Sequence, residues 1–137
     1  LPLNETIGGR TPKQELLRSL SNTCAACGLN EAVNYSFIHP GEADLLRLPA
    51  EHPWRSTLAI SNPLSEDQSV MRRSLLPGLL HTAERNMARR NLDLRFFETG
   101  MVFIPAAETP EKVQPQEVLT LGMIIGTLRL LPMIILQ

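Results

Sequence analysis

A chain of 137 residues with a formal net charge of −1 at pH 7 fits one domain, since single domains usually have about 100 to 150 residues. Because the charge is near zero, no overall field attracts nucleic acid or an anionic membrane, and such partners would need a local basic patch. Two cysteines are too few for a disulfide framework. The sequence shows neither a signal peptide nor the run of about 20 apolar residues that a membrane helix needs. These features predict a cytoplasmic protein with no membrane contact.

The first long helix is predicted at residues 11–27, after an entry loop at residues 1–10. Thr11 is placed as its N-cap, Pro12 takes the first helical position, and Gln14 completes a capping box. Gly28 is predicted to end the helix, because glycine readily adopts the left-handed conformation found there. The predicted apolar face consists of Leu16, Leu17, Leu20, Cys24 and Cys27.

Short elements are predicted in the next part of the chain. Residues 32–38 alternate as a strand does, and a short helix at residues 42–48 and a strand at residues 57–60 follow. Residues 70–72 are predicted to be extended. The side chains predicted to share one face of the first strand are Val33, Tyr35 and Phe37.

A second long helix is predicted to begin between Ser74 and Pro77, since proline is tolerated in a first turn. Its apolar stripe consists of Leu76, Leu79, Leu80, Ala83 and Met87. Strands are predicted at residues 94–97, 101–104 and 118–125, with a bulge or bend at Gly100 and a proline-rich loop at residues 106–116. This order favours an α+β fold in which helices cover one face of a mainly antiparallel sheet.

Two side-chain pairs have the spacing of reactive or metal-binding groups. Cys24 and Cys27 have the spacing of a redox pair or half a zinc site, but they lie at a helix C-terminus, where the dipole opposes thiolate formation. We therefore predict two thiols in the core. His81 and Glu84 lie three residues apart on the second helix without further ligands nearby in sequence, which favours a solvated helix surface over a metal site.

Arginines are concentrated in the middle of the chain. Such a cluster suits phosphate binding or pairing with carboxylates across a protein interface. Interleaved aromatic residues and a net basic charge are missing, so a solvated or subunit-facing surface is favoured over nucleic-acid contact. The arginines concerned are Arg72, Arg73, Arg85, Arg89, Arg90 and Arg95.

Residues 11–126 resemble the core domain of the bacterial phenylalanyl-tRNA synthetase beta subunit family. Four blocks carry the resemblance in the right order: residues 28–37 (GLNEAVNYSF), 62–65 (NPLS), 71–80 (MRRSLLPGLL) and 97–103 (FETGMVF). The resemblance implies a class II aminoacyl-tRNA synthetase-like antiparallel sheet with flanking helices, truncated on its C-terminal side. It also implies a place in a complex of two alpha and two beta subunits, whose alpha subunit uses ATP to attach phenylalanine to tRNA. The parent enzyme is implied to use ATP and Mg²⁺.

The same resemblance implies a domain that has lost its chemistry and acts as a structural and subunit-interaction partner, with no cofactor of its own and tRNA bound through the complex. Class II enzymes present an arginine and a glutamate two positions apart on one strand. Here Arg95 and Glu98 lie three apart, and an odd spacing directs two side chains to opposite faces of a regular strand. We therefore expect the fragment alone to be inactive.

The alternatives are a residual adenylate-binding enzyme domain using Arg72, Arg95 and Glu98, and a tRNA-binding module using the arginines. The first helix and adjoining strand resemble the class II interface motif. The candidate interface residues are therefore Leu16, Leu20 and Val33.

Residues 127–137 depart from the family pattern and are interpreted as an atypical tail of cloning or reading-frame origin. The apolar tail is expected to cover an open sheet edge or to pair with another chain, so the isolated fragment would self-associate.

Overall fold

The structure is a computed structural model that describes residues 8–105 and 115–126 together with the backbone of residues 135–136. Predictions for residues 1–7, 106–114, 127–134 and 137 lie outside the described residues. In the described part of the chain the α-helices are α1 (Pro12–Ala26), α2 (Glu42–Leu45) and α3 (Leu76–Ala88). The strands described are β1 (Asn30–Glu31), β2 (Phe37–Ile38), β3 (Leu58–Ala59), β4 (Val70–Met71), β5 (Leu94–Ile104), β6 (Gln116–Gly126) and β7 (Ile135–Leu136).

The ends of α1 follow the sequence prediction. Thr11 Oγ1 accepts a hydrogen bond from the backbone N–H of Gln14 at 3.3 Å, and the side chain of Gln14 accepts one from the backbone N–H of Thr11 at 2.8 Å. This reciprocal pair satisfies two N–H groups that the helix start would otherwise leave without partners. At the other end Gly28 has a φ of 84°, in the left-handed region that favours glycine. The predicted start and stop are confirmed.

The larger sheet has the strand order β1-β5-β6-β7. β1 pairs parallel with β5, whereas β6 pairs antiparallel with β5 and with β7. The β5–β6 register runs without interruption from Leu94 opposite Gly126 to Ile104 opposite Gln116. The predicted bulge at Gly100 is therefore wrong. This glycine is needed for another reason, since a Cβ at Gly100 would overlap Nη2 of Arg72.

β7 partly borders the outer edge of the larger sheet, pairing with β6 at Leu121 and Gly122. This agrees, over two residues, with the expectation that the end of the chain lies along that edge.

The smaller sheet has the order β2-β4-β3 and is antiparallel. The predicted strand at residues 32–38 is wrong in its extent, because only its last two residues form a strand and residues 32–36 are irregular. This segment passes from one sheet to the other. Its first residue, Ala32, donates to the carbonyl of Phe97 in β5 at 2.7 Å, and Ser36 near its end accepts from the backbone N–H of Arg72 at 2.9 Å.

Two hydrophobic clusters lie on opposite faces of β5. Leu94 and Val102 pack with Leu79 and neighbouring residues of α3, while Phe97, which points the other way, packs with Cys24 of α1 and with Leu29. The prediction that helices cover only one face of the sheet is therefore wrong. The apolar patterns of α1 and α3 each indicated burial, but they carry no information about which sheet face each helix contacts.

The apolar stripes are less buried than predicted. In α1 only Cys24 is buried, whereas Leu16 is 57% exposed and Cys27 is exposed. In α3 the centre of the stripe is buried, with Met87 half-exposed at its end. Within the described ranges, no helix combines the length and hydrophobicity needed to cross a bilayer.

Candidate functional site

A buried ion pair joins the end of β4 to the middle of β5. Nη1 of Arg72 lies 2.6 Å from Oε1 of Glu98, and the two side chains are only 6% and 3% exposed. Two charges removed from water in this way are stable only when they neutralise each other and their remaining polar atoms find partners. The surroundings of the pair therefore decide what it does.

Arg72 connects three segments of the chain. Its Nε donates to the carbonyl of Met101 at 2.9 Å, and its Nη1 also donates to the carbonyl of Asn34 at 3.4 Å. Its backbone N–H donates to Ser36, and its carbonyl accepts from the N–H of Phe103 at 3.0 Å. A single residue thus ties β4 both to the segment before β2 and to the larger sheet.

Glu98 is also held by Asn34. The side-chain amide of Asn34 donates to Oε2 of Glu98 at 2.7 Å, and its backbone N–H lies 3.4 Å from Oε1. Asn34 Oδ1 accepts from the hydroxyl of Thr82 on α3 at 3.0 Å. Space for Asn34 is provided by Gly78, where a Cβ would lie 2.8 Å from the Cβ of Asn34. The resulting network consists of the buried Arg72 and Glu98 and the partly buried Asn34 and Thr82.

Arg95 lies apart from this network. β5 is regular between Arg95 and Glu98, so their side chains are on opposite faces, with Glu98 buried and Arg95 exposed. Nε of Arg95 instead donates to Asp93 at 2.9 Å. The structure therefore brings together two of the three candidate substrate-binding residues, and both carboxylate oxygens of Glu98 already accept hydrogen bonds from the protein.

Not all of the six arginines are free to bind a partner. Arg73 is half-buried, and it donates to the carbonyls of Phe103 and Pro53 at 3.2 Å each. Burial lowers the pKa of Arg73, because desolvation disfavours its charged form. The hypothesis of arginine-mediated tRNA binding therefore concerns only the exposed arginines, which are Arg85, Arg89, Arg90 and Arg95.

The candidate interface residues are accessible. Val33 is 91% exposed, and Leu16 and Leu20 line a groove of about 650 Å³ whose other walls include Leu75, Leu79 and Leu121. Sequence reasoning did not select Tyr35, which is 76% exposed. The signal that could have identified it is Asn34, because a polar residue that points inward makes both of its neighbours point outward.

The cysteines differ in their surroundings. Cys24 is buried, and desolvation first, followed by the nearby Cys27 and Glu31, raises the pKa of its thiol. Cys27 is exposed, so the prediction that both thiols lie in the core is wrong for Cys27. Among the residues that the structure describes, no three His, Cys, Asp or Glu side chains are grouped in a way that could hold a metal ion.

His81 is more constrained than a solvated helix surface would require. Its Nε2 lies 2.9 Å from Oε1 of Glu42 on α2, and its Nδ1 lies 3.5 Å from Oε2 of Glu84. The hydrogen bond with Glu42 is the largest influence on the pKa of His81, which is raised in spite of partial desolvation. The pair therefore connects α2 to α3 when His81 is protonated.

This pair predicts a pH-dependent stability. Because the pKa of His81 is higher in the folded state than its usual 6.5, protonation stabilises the fold below that value, and the gain is lost as the pH rises through the folded-state pKa. Since His81 is half-exposed, we expect a gain below about 1 kcal/mol. Denaturant unfolding between about pH 5 and pH 9 should show this slope in the wild type and lose it in His81→Gln, because histidine titrates in this range.

The matched control for this prediction is His39→Gln, since His39 is exposed, lies 4.0 Å from Asp67, and accepts a hydrogen bond from the backbone N–H of Gly41 rather than from another helix. This variant should keep the slope of the wild type. Equal slopes in the wild type and His81→Gln would contradict the assignment of the pH dependence to the contact with Glu42.

Comparisons with known proteins point to one family. A family model described as the phenylalanyl tRNA synthetase beta chain CLM domain matches residues 1–129. The chain is 49% identical over 119 residues to the phenylalanine--tRNA ligase beta subunit of Moorella thermoacetica, covering 86% of this chain and 14% of that protein. It is 38% identical over 117 residues to that of Clostridium tetani, covering 84% of this chain and 14% of that protein. The chain thus spans about 14% of the length of these relatives.

Solved structures share the fold. A pyrrolysyl-tRNA synthetase from Desulfitobacterium hafniense superposes with a TM-score of 0.63 at 18% identity, covering 87% of this chain and 41% of that one. A second structure of this synthetase from the same organism gives a TM-score of 0.59 at 20% identity, covering 87% of this chain and 39% of that one. The mixed α/β fold with small antiparallel sheets is therefore shared with these two pyrrolysyl-tRNA synthetase structures.

Proposed function

This chain belongs to the phenylalanyl-tRNA synthetase beta chain family, and from that premise we propose that it is a structural and subunit-interaction domain without catalytic activity of its own. The enzyme it serves attaches phenylalanine to its tRNA in an ATP-dependent reaction. Its partner in this proposal is the alpha subunit, in a complex of two alpha and two beta subunits, and tRNA binds to the complex.

The observation that carries this proposal is the closed network around Arg72 and Glu98. The groups that an adenylate site would use to hold substrate are here engaged with each other and with Asn34 in the interior. Arg95 lies on the other face of β5 and pairs with Asp93. Such an arrangement supports a role in holding the fold together rather than in binding a nucleotide.

Mg²⁺ does not fit the residues of this network. Oε1 of Glu98 accepts from Arg72, and Oε2 accepts from Asn34, so a magnesium ion would have to replace both partners in a space that is closed to solvent. A hard cation such as Mg²⁺ also keeps several water molecules, for which a side chain only 3% exposed leaves no room. We therefore propose that Mg²⁺, and the ATP that it accompanies, bind the complex outside this network.

Isothermal titration and co-elution test this function. We expect no saturable binding of ATP or of a phenylalanyl-adenylate analogue, and a co-eluting complex with the alpha subunit. Leu16→Asp and Leu20→Asp should each weaken the complex by about tenfold or more, because a charge would be buried in an apolar contact. The matched control is Leu92→Asp, at an exposed site outside the groove.

Two results would contradict the proposal. One is saturable adenylate binding in the wild type that Arg95→Ala removes, which would show that the enzyme alternative is correct. The other is the absence of a complex with the alpha subunit when both chains are folded and mixed at micromolar concentration.

A further inference from the structure

The short helix α2 depends on its neighbours for its order. It has four residues, none of them is buried, and its start at Gly41 has no side-chain cap. A helix of this length is not stable on its own, because its few internal hydrogen bonds do not offset the entropy lost in ordering the backbone. The contacts that its side chains make with the rest of the fold therefore decide whether α2 stays in place.

The two ends of the α2 segment are held by contacts of different kinds. At its C-terminal end, Arg55 donates to the carbonyl of Leu48 at 2.6 Å and to Oδ1 of Asp44 at 2.7 Å. Because arginine stays charged, these contacts do not change near neutral pH. At its N-terminal end, the side chain of Glu42 contacts His81 on α3. Only this second contact includes a group that titrates near neutral pH.

The carboxylate of Glu42 is poorly accessible to water. The side chain of Glu42 is 12% exposed, and its Oε1 lies 2.9 Å from Nε2 of His81. Within the residues that the structure describes, no other side chain forms a hydrogen bond with this carboxylate. A carboxylate removed from water is unfavourable unless a counter-charge or hydrogen bonds compensate. When His81 loses its proton, the counter-charge of Glu42 is lost.

The other charged groups near His81 do not tie α2 to α3. The titratable and charged side chains that share a depression with His81 are Tyr35, Glu42, Asp67, Glu84 and Arg85. In the described ranges, only Glu42 and Glu84 form ion pairs with His81. Glu84 lies on α3 itself, so its contact with His81 persists whether or not α2 is in place. The contact with Glu42 is therefore the one that depends on the position of α2.

We propose that α2 is a pH-sensitive switch: while His81 is protonated, the first turn of α2 lies against α3, and when His81 is neutral, this turn opens locally and the rest of the domain stays folded. Opening would uncover Pro77 and Leu80 of α3, which share an apolar depression of about 600 Å³ with Leu46.

The direction of the switch follows from the titration of His81. The hydrogen bond with Glu42 is the largest influence on the pKa of His81, which is raised above its usual 6.5. The contact therefore stabilises the closed form fully below pH 6.5, and this stabilisation is lost as the pH rises through the folded-state pKa. Acidification closes α2 and alkalinisation releases it.

Hydrogen exchange, measured by NMR on the full 137-residue chain, tests this switch. The amides of residues 44–48 donate backbone hydrogen bonds within the segment, so their exchange reports its opening. After correction for the intrinsic exchange rate at each pH, their protection should fall by up to about fivefold between about pH 5 and pH 9. The protection of the β5 amides should stay constant over the same range.

Glu42→Gln should remove this pH dependence, because the amide carries no charge. It should also return the pKa of His81, followed by NMR titration of the ring, toward 6.5. His81→Gln should remove the pH dependence as well. The matched control is Glu84→Gln, which makes the same change in the other carboxylate beside His81. It should lower the midpoint of the pH dependence and keep its amplitude, because Glu84 contacts His81 in both the closed and the open form.

Three results would overturn the proposal. The first is protection of residues 44–48 that does not vary with pH in the wild type. The second is a pH dependence that persists in Glu42→Gln, which would assign it to another titratable group. The third is an equal loss of protection in β5, which would show that the whole domain opens rather than α2.

Discussion

Arg72→Met is expected to lower the free energy of unfolding by about 3–5 kcal/mol, because it leaves the carboxylate of Glu98 buried without its counter-charge. The methionine fills much of the volume of the arginine stem, so the cost reflects the lost charge and hydrogen bonds more than a cavity. Domains of this size are stable by about 5–15 kcal/mol, so the variant should be close to unfolding at physiological temperature. Urea denaturation followed by circular dichroism measures the change.

Arg95→Met is the matched control for Arg72→Met, since it removes an arginine of β5 whose ion pair with Asp93 is half-exposed. Exposed pairs contribute about 0–1 kcal/mol, so this variant should be almost as stable as the wild type. The double variant Arg72→Met/Glu98→Met should recover part of the loss, because it removes the unpaired charge. Equal costs for Arg72→Met and Arg95→Met would show that the buried pair does not hold the fold together.

Phe97→Ala is expected to destabilise the chain by about 3–5 kcal/mol, the usual cost of truncating a buried phenylalanine. Phe97 is 1% exposed and packs against Cys24 and Leu29, which lie at and after the C-terminal end of α1. Its loss should also release α1 from the sheet. Hydrogen exchange of the α1 amides, together with urea denaturation, measures both effects.

Phe37→Ala provides the comparison for Phe97→Ala, because Phe37 is partly exposed and lies outside both hydrophobic clusters. This variant should lower the free energy of unfolding by about 1 kcal/mol or less and leave the α1 amides protected from hydrogen exchange. If Phe97→Ala left the exchange of the α1 amides unchanged, the attachment of α1 to β5 would depend on other contacts.

Local signals in the sequence were sufficient for the bounds of α1 and for the start of α3, whereas α2 is shorter than the predicted residues 42–48. The capping box at Thr11 and Gly28 at the other end gave the bounds of α1, since these signals act through neighbouring backbone groups. The opposite-face placement of Arg95 and Glu98 also follows from their odd spacing alone, once β5 is known to be regular.

Two features of the fold depend on contacts between residues distant in sequence and could not be predicted from local patterns. The segment at residues 32–36 has the alternation of a strand, but the hydrogen bonds of Asn34 to Glu98, 64 residues away, hold it out of a ladder. Gly100 looked like the site of a bulge, although it is a point where Arg72 approaches β5 closely. Both cases depend on contacts that residues distant in sequence make with β5, which no pattern within a single element reports.

The close approach of Arg72 to Gly100 also restricts the order in which these two positions can change during evolution. A Cβ at position 100 would overlap Nη2 of Arg72, so the guanidinium that pairs with Glu98 would have to shift while Arg72 is present. A lineage would therefore have to replace Arg72 first, and that step alone leaves a buried carboxylate without its partner. The two residues thus form an epistatic pair, and each protects the other from substitution.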